Sequence, residues 1–537
     1  MLQGLGAAGA VGLAGCTDNS GQDTTTTTES DGGGANQDTE TTQEQQMGGG
    51  KLKLAQVKGP IEFDPIVLND VPSLQVTDRV VEGLYRYNET ASEVIPNIAA
   101  EMPTIENDGT RYIVPLNENA TFQNGDPVTA EDVKYSFEAP VKEETENASE
   151  LNMIDSVSVI DDQTVQFDLK YPYGPFMQAL TWYVVPKSVR EEDKEGFNTN
   201  PVGSGPFEFD SWSEGQYARV TRWDDYWGEP LPKLKEIEFV PVVEATTRVT
   251  TLQTGENDVI EEIPPKLWEQ VKGMGNASIE DTPGVGYFYL AFNTKAGPTS
   301  DPKVREAIDY TFSMDQAVSN FVEPTGIRQY SPLPASVAEG WNMPVDEWKQ
   351  IPHDKNVDKA KSMLDDSDAV PNDWKAKIIV PPDEKREQIG ITVQNGLKEA
   401  GYDASVQRLD WGAFLDKYVT GDPNDYNMYT LGWSGSPDPD AFTYYFFAEE
   451  SHGVTDGTYY SKVSDKIVQA RESSDHDKRK QLYEEAITTL LEDRAHIPAY
   501  NLKNSFGVRE YVEDFNAYPV GSGFTIATPW NNVNVTK

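Results

Sequence analysis

The sequence predicts an α/β protein whose sheet is parallel and covered by helices, and three successive patterns carry that expectation. Lys375–Val380 is a short apolar-rich run ending at Pro381-Pro382, which reads as a strand. A helix over Glu384–Ala400 then places Ile389, Val393, Leu397 and Ala400 on one face, and Gly401 stops it. Val406 and Leu409 mark a second strand, a short helix carries Trp411, Leu415 and Tyr418, and Tyr426–Gly432 returns as a third strand. Parallel neighbours need a crossover long enough to hold a helix, so this βαβαβ spacing implies parallel pairing. Earlier in the chain, Asp301-Pro302 opens a helix with an Asp cap and Pro at its first position, and Val304, Ala307, Ile308 and Thr311 line its inner face. Thr129-Ala130-Glu131-Asp132 resembles a capping box, with Val133 and Phe137 stacked four apart behind it.

At 537 residues the chain is too long for one small core, so two or more domains are expected. Its 11 Trp and 25 Tyr suit either packed interiors or carbohydrate- and peptide-lined clefts. Charge excludes more than it assigns. There are 89 Asp and Glu against 44 Lys and Arg, a net −45, and nucleic-acid binding needs clustered cations. Such a surface repels itself at low salt, where the screening length is about 30 Å at 0.01 M against about 3 Å at 1 M. The balance therefore suggests a protein that works in concentrated salt, as in halophiles.

The single cysteine, Cys16, excludes disulfides within the chain and thiolate metal sites. Residues 1–15 are small and apolar, too few to span a bilayer, and read as the core of an export signal. Leu13-Ala14-Gly15-Cys16 resembles a lipobox, in which the cysteine is lipidated and becomes the mature N-terminus. No Lys or Arg precedes Lys51, so the usual basic start of such a signal is missing; halophilic archaea typically place a twin-Arg pair there, and the true start is expected upstream of Met1. Gly4-Leu5-Gly6-Ala7-Ala8-Gly9 matches GxGxxG by letters alone, with no strand before it and no βαβ unit around it. Residues 17–50 are Thr, Gly, Gln, Asp and Glu with almost nothing apolar, and are expected to be a solvated, disordered tether. Seven of the acids lie there, leaving −38 on the globular part.

Ligands in open parallel sheets bind beyond the carboxyl ends of the strands. Trp433-Ser434-Gly435-Ser436-Pro437-Asp438-Pro439-Asp440 follows the Tyr426–Gly432 strand directly. It offers an aromatic plate, two hydroxyls and two carboxylates, as a neutral or cationic polar ligand would require. Asp438-Pro439 reads equally as a turn and helix cap. No HExxH, GxSxG or Walker A motif occurs, and His353, His452, His476 and His496 have no metal-type spacing, so neither an enzyme nor a metal or other cofactor is expected. Asn88, Asn119, Asn147, Asn276 and Asn534 each head an N-x-[ST] sequon, which permits glycosylation.

Several segments in order resemble the extracellular solute-binding protein family 5, the dipeptide, oligopeptide and nickel group. Phe63-Asp64-Pro65, then Val80-Val81-Glu82-Gly83-Leu84 and Ile95-Pro96-Asn97-Ile98-Ala99, resemble the family's opening. The 122–137 stretch, Phe122-Gln123-Asn124-Gly125-Asp126-Pro127-Val128-Thr129-Ala130-Glu131-Asp132-Val133-Lys134-Tyr135-Ser136-Phe137, is close to its signature. Pro201–Phe207, Asp225-Tyr226-Trp227-Gly228, Phe288–Asn293 and Val304–Ile308 also match in order. The resemblance implies a two-lobed periplasmic-binding-protein-like (type II) α/β fold with an extra α+β domain inserted in the first lobe. The expected division is 1–16 export signal and lipobox; 17–50 tether; 51–96 with 200–288 and 505–537 the first lobe; 97–199 the inserted domain; and 289–504 the second lobe including hinge strands. Phe288–Asn293 and Ala495–Asn501 would be the crossing strands. Closure about that hinge would capture the ligand and present it to the permease of an ABC importer, whose ATPase is another subunit. The protein would sit on the extracellular face of the cytoplasmic membrane, held by its lipid anchor alone.

One departure bears on the ligand. In peptide-binding members an Asp three residues after the tryptophan equivalent to Trp433 pairs with the peptide's α-amino group, and here that residue is Ser436. A neutral hydrogen bond is about half as strong as a charge-assisted one. A peptide, with Asp438 or Asp440 substituting, and a neutral solute such as an oligosaccharide stacked on Trp433 or Trp411, both stand. Nickel-binding members use a histidine where His452 lies only loosely in register. A receptor or sensor of the same fold is the alternative to import, and neighbouring permease and ATPase genes discriminate the two.

Overall fold

The structure is a computed structural model that describes residues 50–537; the export signal, the lipobox with Cys16, and the tether up to residue 49 lie outside the described residues. The βαβαβ unit forms as its spacing predicts. Lys375–Val380 pairs in parallel with Asp403–Arg408 on one side and with Met428–Ser434 on the other. The helix between the first two strands runs Glu384–Glu399, buries Ile389, Val393 and Leu397, and is stopped at Gly401, whose φ of +92° a side chain rarely tolerates. The third strand starts two residues later than the apolar pattern predicts. The Tyr426 N–H turns back to the Asp422 carbonyl at 3.2 Å, closing a turn, while its hydroxyl donates to the Gly457 carbonyl at 2.6 Å. The short helix Trp411–Tyr418 buries Phe414 and Tyr418, four apart, and leaves Trp411 39% exposed, so its inner stripe runs through Phe414 rather than Trp411.

This unit is one end of a mixed twelve-stranded sheet. Met428–Ser434 pairs antiparallel with Gly286–Phe292, which pairs with the first half of His496–Arg509. The second half of that fourteen-residue strand pairs with Ala277–Pro283 and Val259–Glu261. Beyond them lie Lys51–Gln56 and Glu236–Pro241, both parallel, and then Tyr217–Arg222 and Phe207–Ser213. The fold is therefore two-lobed, with His496–Arg509 and the broken pair Ala277–Pro283 and Gly286–Phe292 shared between lobes. Phe288–Phe292 and Ala495–Asn501 are fully buried second-lobe core, and the crossing itself lies next to them, at 283–286 and 501–503. There the Asn501 side chain donates to the Gly284 and Gly286 carbonyls, both at 2.9 Å, bracing two carbonyls that the interrupted ladder leaves over.

Each lobe has its own core. Leu54, Phe63, Phe207, Phe239 and Phe524 pack in the first, and the second packs Leu290, Ile378 and Val393 on one face of its sheet and Tyr289, Tyr429 and Phe446 on the other. Between residues 97 and 199 the chain forms a separate four-stranded antiparallel sheet from Thr104–Glu106, Arg111–Pro115, Thr164–Leu169 and Ile154–Asp161. Helix Ala130–Lys142 lies against it, with the Phe137 and Phe167 rings 4.9 Å apart. The Asp132 carboxylate accepts from the Thr129 N–H at 3.0 Å and hydroxyl at 2.6 Å, closing the N-terminus of that helix. No described helix is long and apolar enough to cross a membrane.

Candidate ligand-binding cleft

A cavity of about 410 Å³ opens where the first lobe faces the carboxyl end of the Met428–Ser434 strand, within the size range of small-ligand pockets. Its first-lobe wall comes mainly from three segments far apart in sequence, 78–87, 173–183 and 518–530, with Glu150 and Phe207 beside them. Ser436 is the residue the second lobe contributes. The wall is rich in rings, including Tyr87, Tyr173, Tyr183, Tyr518 and Trp530.

The charged groups in this wall are mostly committed to one another. The Tyr183 hydroxyl donates to Asp78 at 2.5 Å, and burial together with that carboxylate pushes the phenol well above its ordinary range. Arg79 lies 3.7 Å from Asp78 and donates to the Ser522 hydroxyl at 2.8 Å. Glu82 accepts from the Tyr226 hydroxyl at 2.8 Å and from Ser204 at 3.2 Å; burial raises its pKa, and these bonds and the nearby Arg86 oppose the rise. Glu150 is exposed on the wall. Arg86 differs from Arg79 in its ion pairing: the Nε of each is buried without a hydrogen-bond partner among the described residues, but Arg79 has Asp78 whereas Arg86 has no ion pair among them, and the Arg86 guanidinium lies 6.0 Å from the centre of the Trp530 ring.

Of the six residues expected at the site, only Ser436 lines this cavity. Asp438 and Asp440 are fully buried and held by arginines: Arg479 donates to Asp438 at 2.6 Å and Arg471 to Asp440 at 2.5 Å. Asp438 also caps the short helix Pro439–Phe442, accepting from the Asp440 N–H at 2.9 Å, so the turn-and-cap reading is the one the fold uses. Burial pushes the Asp440 carboxyl up to about 6 against the pull of Arg471, which leaves the pair charged at neutral pH. A carboxylate already paired in the interior is not available to a ligand's ammonium group. Trp433 packs on Tyr445 and Phe446, with centroids 5.4 and 5.5 Å away, rather than facing the cavity. Ser434 is exposed at the end of the strand. Trp411 lies against Arg386, whose guanidinium sits 5.5 Å from its ring and 5.1 Å from that of Phe288.

The two arginines that hold the acidic loop also touch the other side of the cleft. The Gly174 N–H donates to the Arg471 carbonyl at 2.7 Å, Arg479 returns a bond to the Gly174 carbonyl at 3.2 Å, and the Arg471 guanidinium lies 4.9 Å from the Tyr173 ring. Sequence reasoning missed Arg86, Asp78, Tyr183, Arg471 and Arg479. The one available signal was that 78–87 includes the Val80–Leu84 segment resembling the family's opening. Among the described residues, no group of three or more His, Cys, Asp or Glu is arranged to hold a metal ion. His452 stacks obliquely on Tyr459 and burial lowers its pKa.

Residues 93–453 match the family model of bacterial extracellular solute-binding proteins, family 5. The chain is 26% identical over 511 residues to the oligopeptide-binding protein AppA of Bacillus subtilis, covering 90% of this chain and 92% of that one. It is 27% identical over 458 residues to the glutathione-binding protein GsiB of Escherichia coli K12, covering 81% and 86%. The structure of HbpA2 from Haemophilus parasuis superposes with a TM-score of 0.80 at 22% identity, over 91% of this chain and all of that one. This chain therefore belongs to the bacterial extracellular solute-binding proteins, family 5.

Proposed function

We propose that this protein is the substrate-binding subunit of an ABC importer, which captures a peptide or another small polar solute between its lobes and delivers it unchanged to a permease. The observation that carries this reading is a cavity whose wall is the first lobe and whose opposite side is Ser436 of the second. A ligand touching both favours the closed arrangement by its differential affinity, and the shared strands 496–509 and 277–292 are where the lobes bend. The relatives named oligopeptide- and glutathione-binding support a peptide-like ligand. The absence of a carboxylate at Ser436 supports the second reading, a neutral solute such as an oligosaccharide. The division into lobes and inserted domain follows the boundaries given above, with 97–199 inserted in the first lobe. Anchorage through a lipid on Cys16, at the outer face of the membrane and in concentrated salt, completes the proposal.

Native mass spectrometry of the protein purified in high salt, followed by release and identification of whatever it holds, tests the reading. An intact solute recovered unaltered is the expected result, and chemical conversion of that solute would overturn it. A native N-terminus that begins with unmodified Met1 would remove the anchor.

A further inference from the structure

We infer that Arg86 is the specificity-determining residue of the cleft and that it selects ligands carrying a free carboxylate; this rests on the solute-binding reading above. A guanidinium is charged at any physiological pH, presents a planar fork of donors that matches a carboxylate, and is costly to keep away from water without a counter-charge. The other arginine of the cavity wall, Arg79, has Asp78 and Ser522. Arg86 has no ion-pair partner among the described residues, in a protein with twice as many acids as bases. Its Nε is shielded and unpartnered, and Trp530 lies alongside the fork. Glu82 feels the charge of Arg86, yet both Glu82 oxygens accept from Tyr226 and Ser204. The missing acceptor is therefore expected from the ligand.

The same wall argues for a carboxylate rather than a phosphate. Asp78, Glu82 and Glu150 together outnumber Arg79 and Arg86, so a dianion meets net repulsion. A carboxylate on a zwitterion, whose ammonium group leaves the molecule without net charge, does not. Concentrated salt weakens long-range attraction but screens a desolvated contact pair much less, so the selection holds under saline conditions.

The test uses the full chain and its Arg86→Gln and Arg86→Lys variants in high salt, each given an equimolar mixture of short peptides as free acids and as C-terminal amides. Retained species are counted by native mass spectrometry. The wild type is expected to favour acids over amides by about tenfold, Arg86→Gln to lose that preference, and Arg86→Lys to keep part of it, since a point charge replaces a bidentate fork. Should Arg86→Gln fail to fold, a reduced preference in Arg86→Lys carries the test. Equal retention of acids and amides by the wild type, or an undiminished preference in a folded variant, overturns the inference while leaving peptide capture intact. Retention of neither by folded wild type overturns both the inference and the peptide reading.

Discussion

Arg479 donates to Asp438 at 2.6 Å, and the same buried guanidinium reaches the Gly174 carbonyl at 3.2 Å. One side chain thus ties the loop that follows a second-lobe strand to the segment carrying Tyr173 on the opposite side of the cleft. Removing one partner of a buried pair leaves the other uncompensated, at a cost of about 3–5 kcal/mol. Arg479→Ala is expected to lose stability in that range by chemical denaturation. A loss below about 1 kcal/mol, the range of exposed pairs, would show that the pair is solvated.

Ser436 lines the cavity and is a neutral hydroxyl at the position where the proposed peptide reading would call for a carboxylate. A charged hydrogen bond contributes about 1.5–3 kcal/mol against about 0.5–1.5 for a neutral one. Ser436→Asp is therefore expected to tighten binding of a tripeptide with a free amino group by about tenfold, and to leave its N-acetyl form unimproved. Calorimetry on the two peptides reads the difference, and equal changes for both would defeat the argument.

Trp433 packs on Tyr445 and Phe446 and lies outside the cavity wall. Trp433→Ala is expected to cost about 3 kcal/mol of stability, at the lower end for buried aromatic truncation. Ligand affinity is expected to change by less than about threefold, since residues without shared partners act nearly independently. A large loss of affinity at unchanged stability would put the indole back in the site.

Glu261 is buried beneath the first-lobe wall, accepting from the Val57 N–H at 2.6 Å and the Gln75 amide at 2.6 Å, and burial pushes its carboxyl up to about 7. Because this exceeds the ordinary value of 4.5, the folded state binds the proton more tightly than the unfolded state. The resulting stability is full below pH 4.5 and is lost as pH rises through 7, by at most about 3 kcal/mol. Glu261→Gln is expected to remove this slope, so its denaturation midpoint gains on that of the wild type between pH 5 and 8. Parallel midpoints across that range would refute the assignment.

Local chemistry made much of the second lobe legible. The Lys375–Val380 strand, the helix ending before Gly401, the Asp301 cap and the Thr129–Asp132 closure depend on residues within a few positions of each other, and each formed at its expected place. Two errors of register have equally local causes: the Asp422–Tyr426 turn delays a strand, and the Phe414–Tyr418 pair outcompetes Trp411 for the inner face. At the cleft, sequence proximity misled. Residues adjacent along 433–440 diverge in space, because the strand ends at Ser434 and the chain bends into the short helix Pro439–Phe442. Ser436 lines the cavity, Ser434 faces solvent, and Asp438 and Asp440 turn into the core.

What the sequence alone determined is the family resemblance, the α/β class, the acidity of the globular part and the helix ends, since these rest on composition and short-range spacing. Only the tertiary structure decided that Asp438 and Asp440 are held by Arg479 and Arg471, and that Arg86 lines the same cavity as Ser436 without an ion pair among the described residues. A carboxylate's role depends on which cation comes within a few ångströms of it, and here those cations come from helices 31 to 41 residues further along the chain.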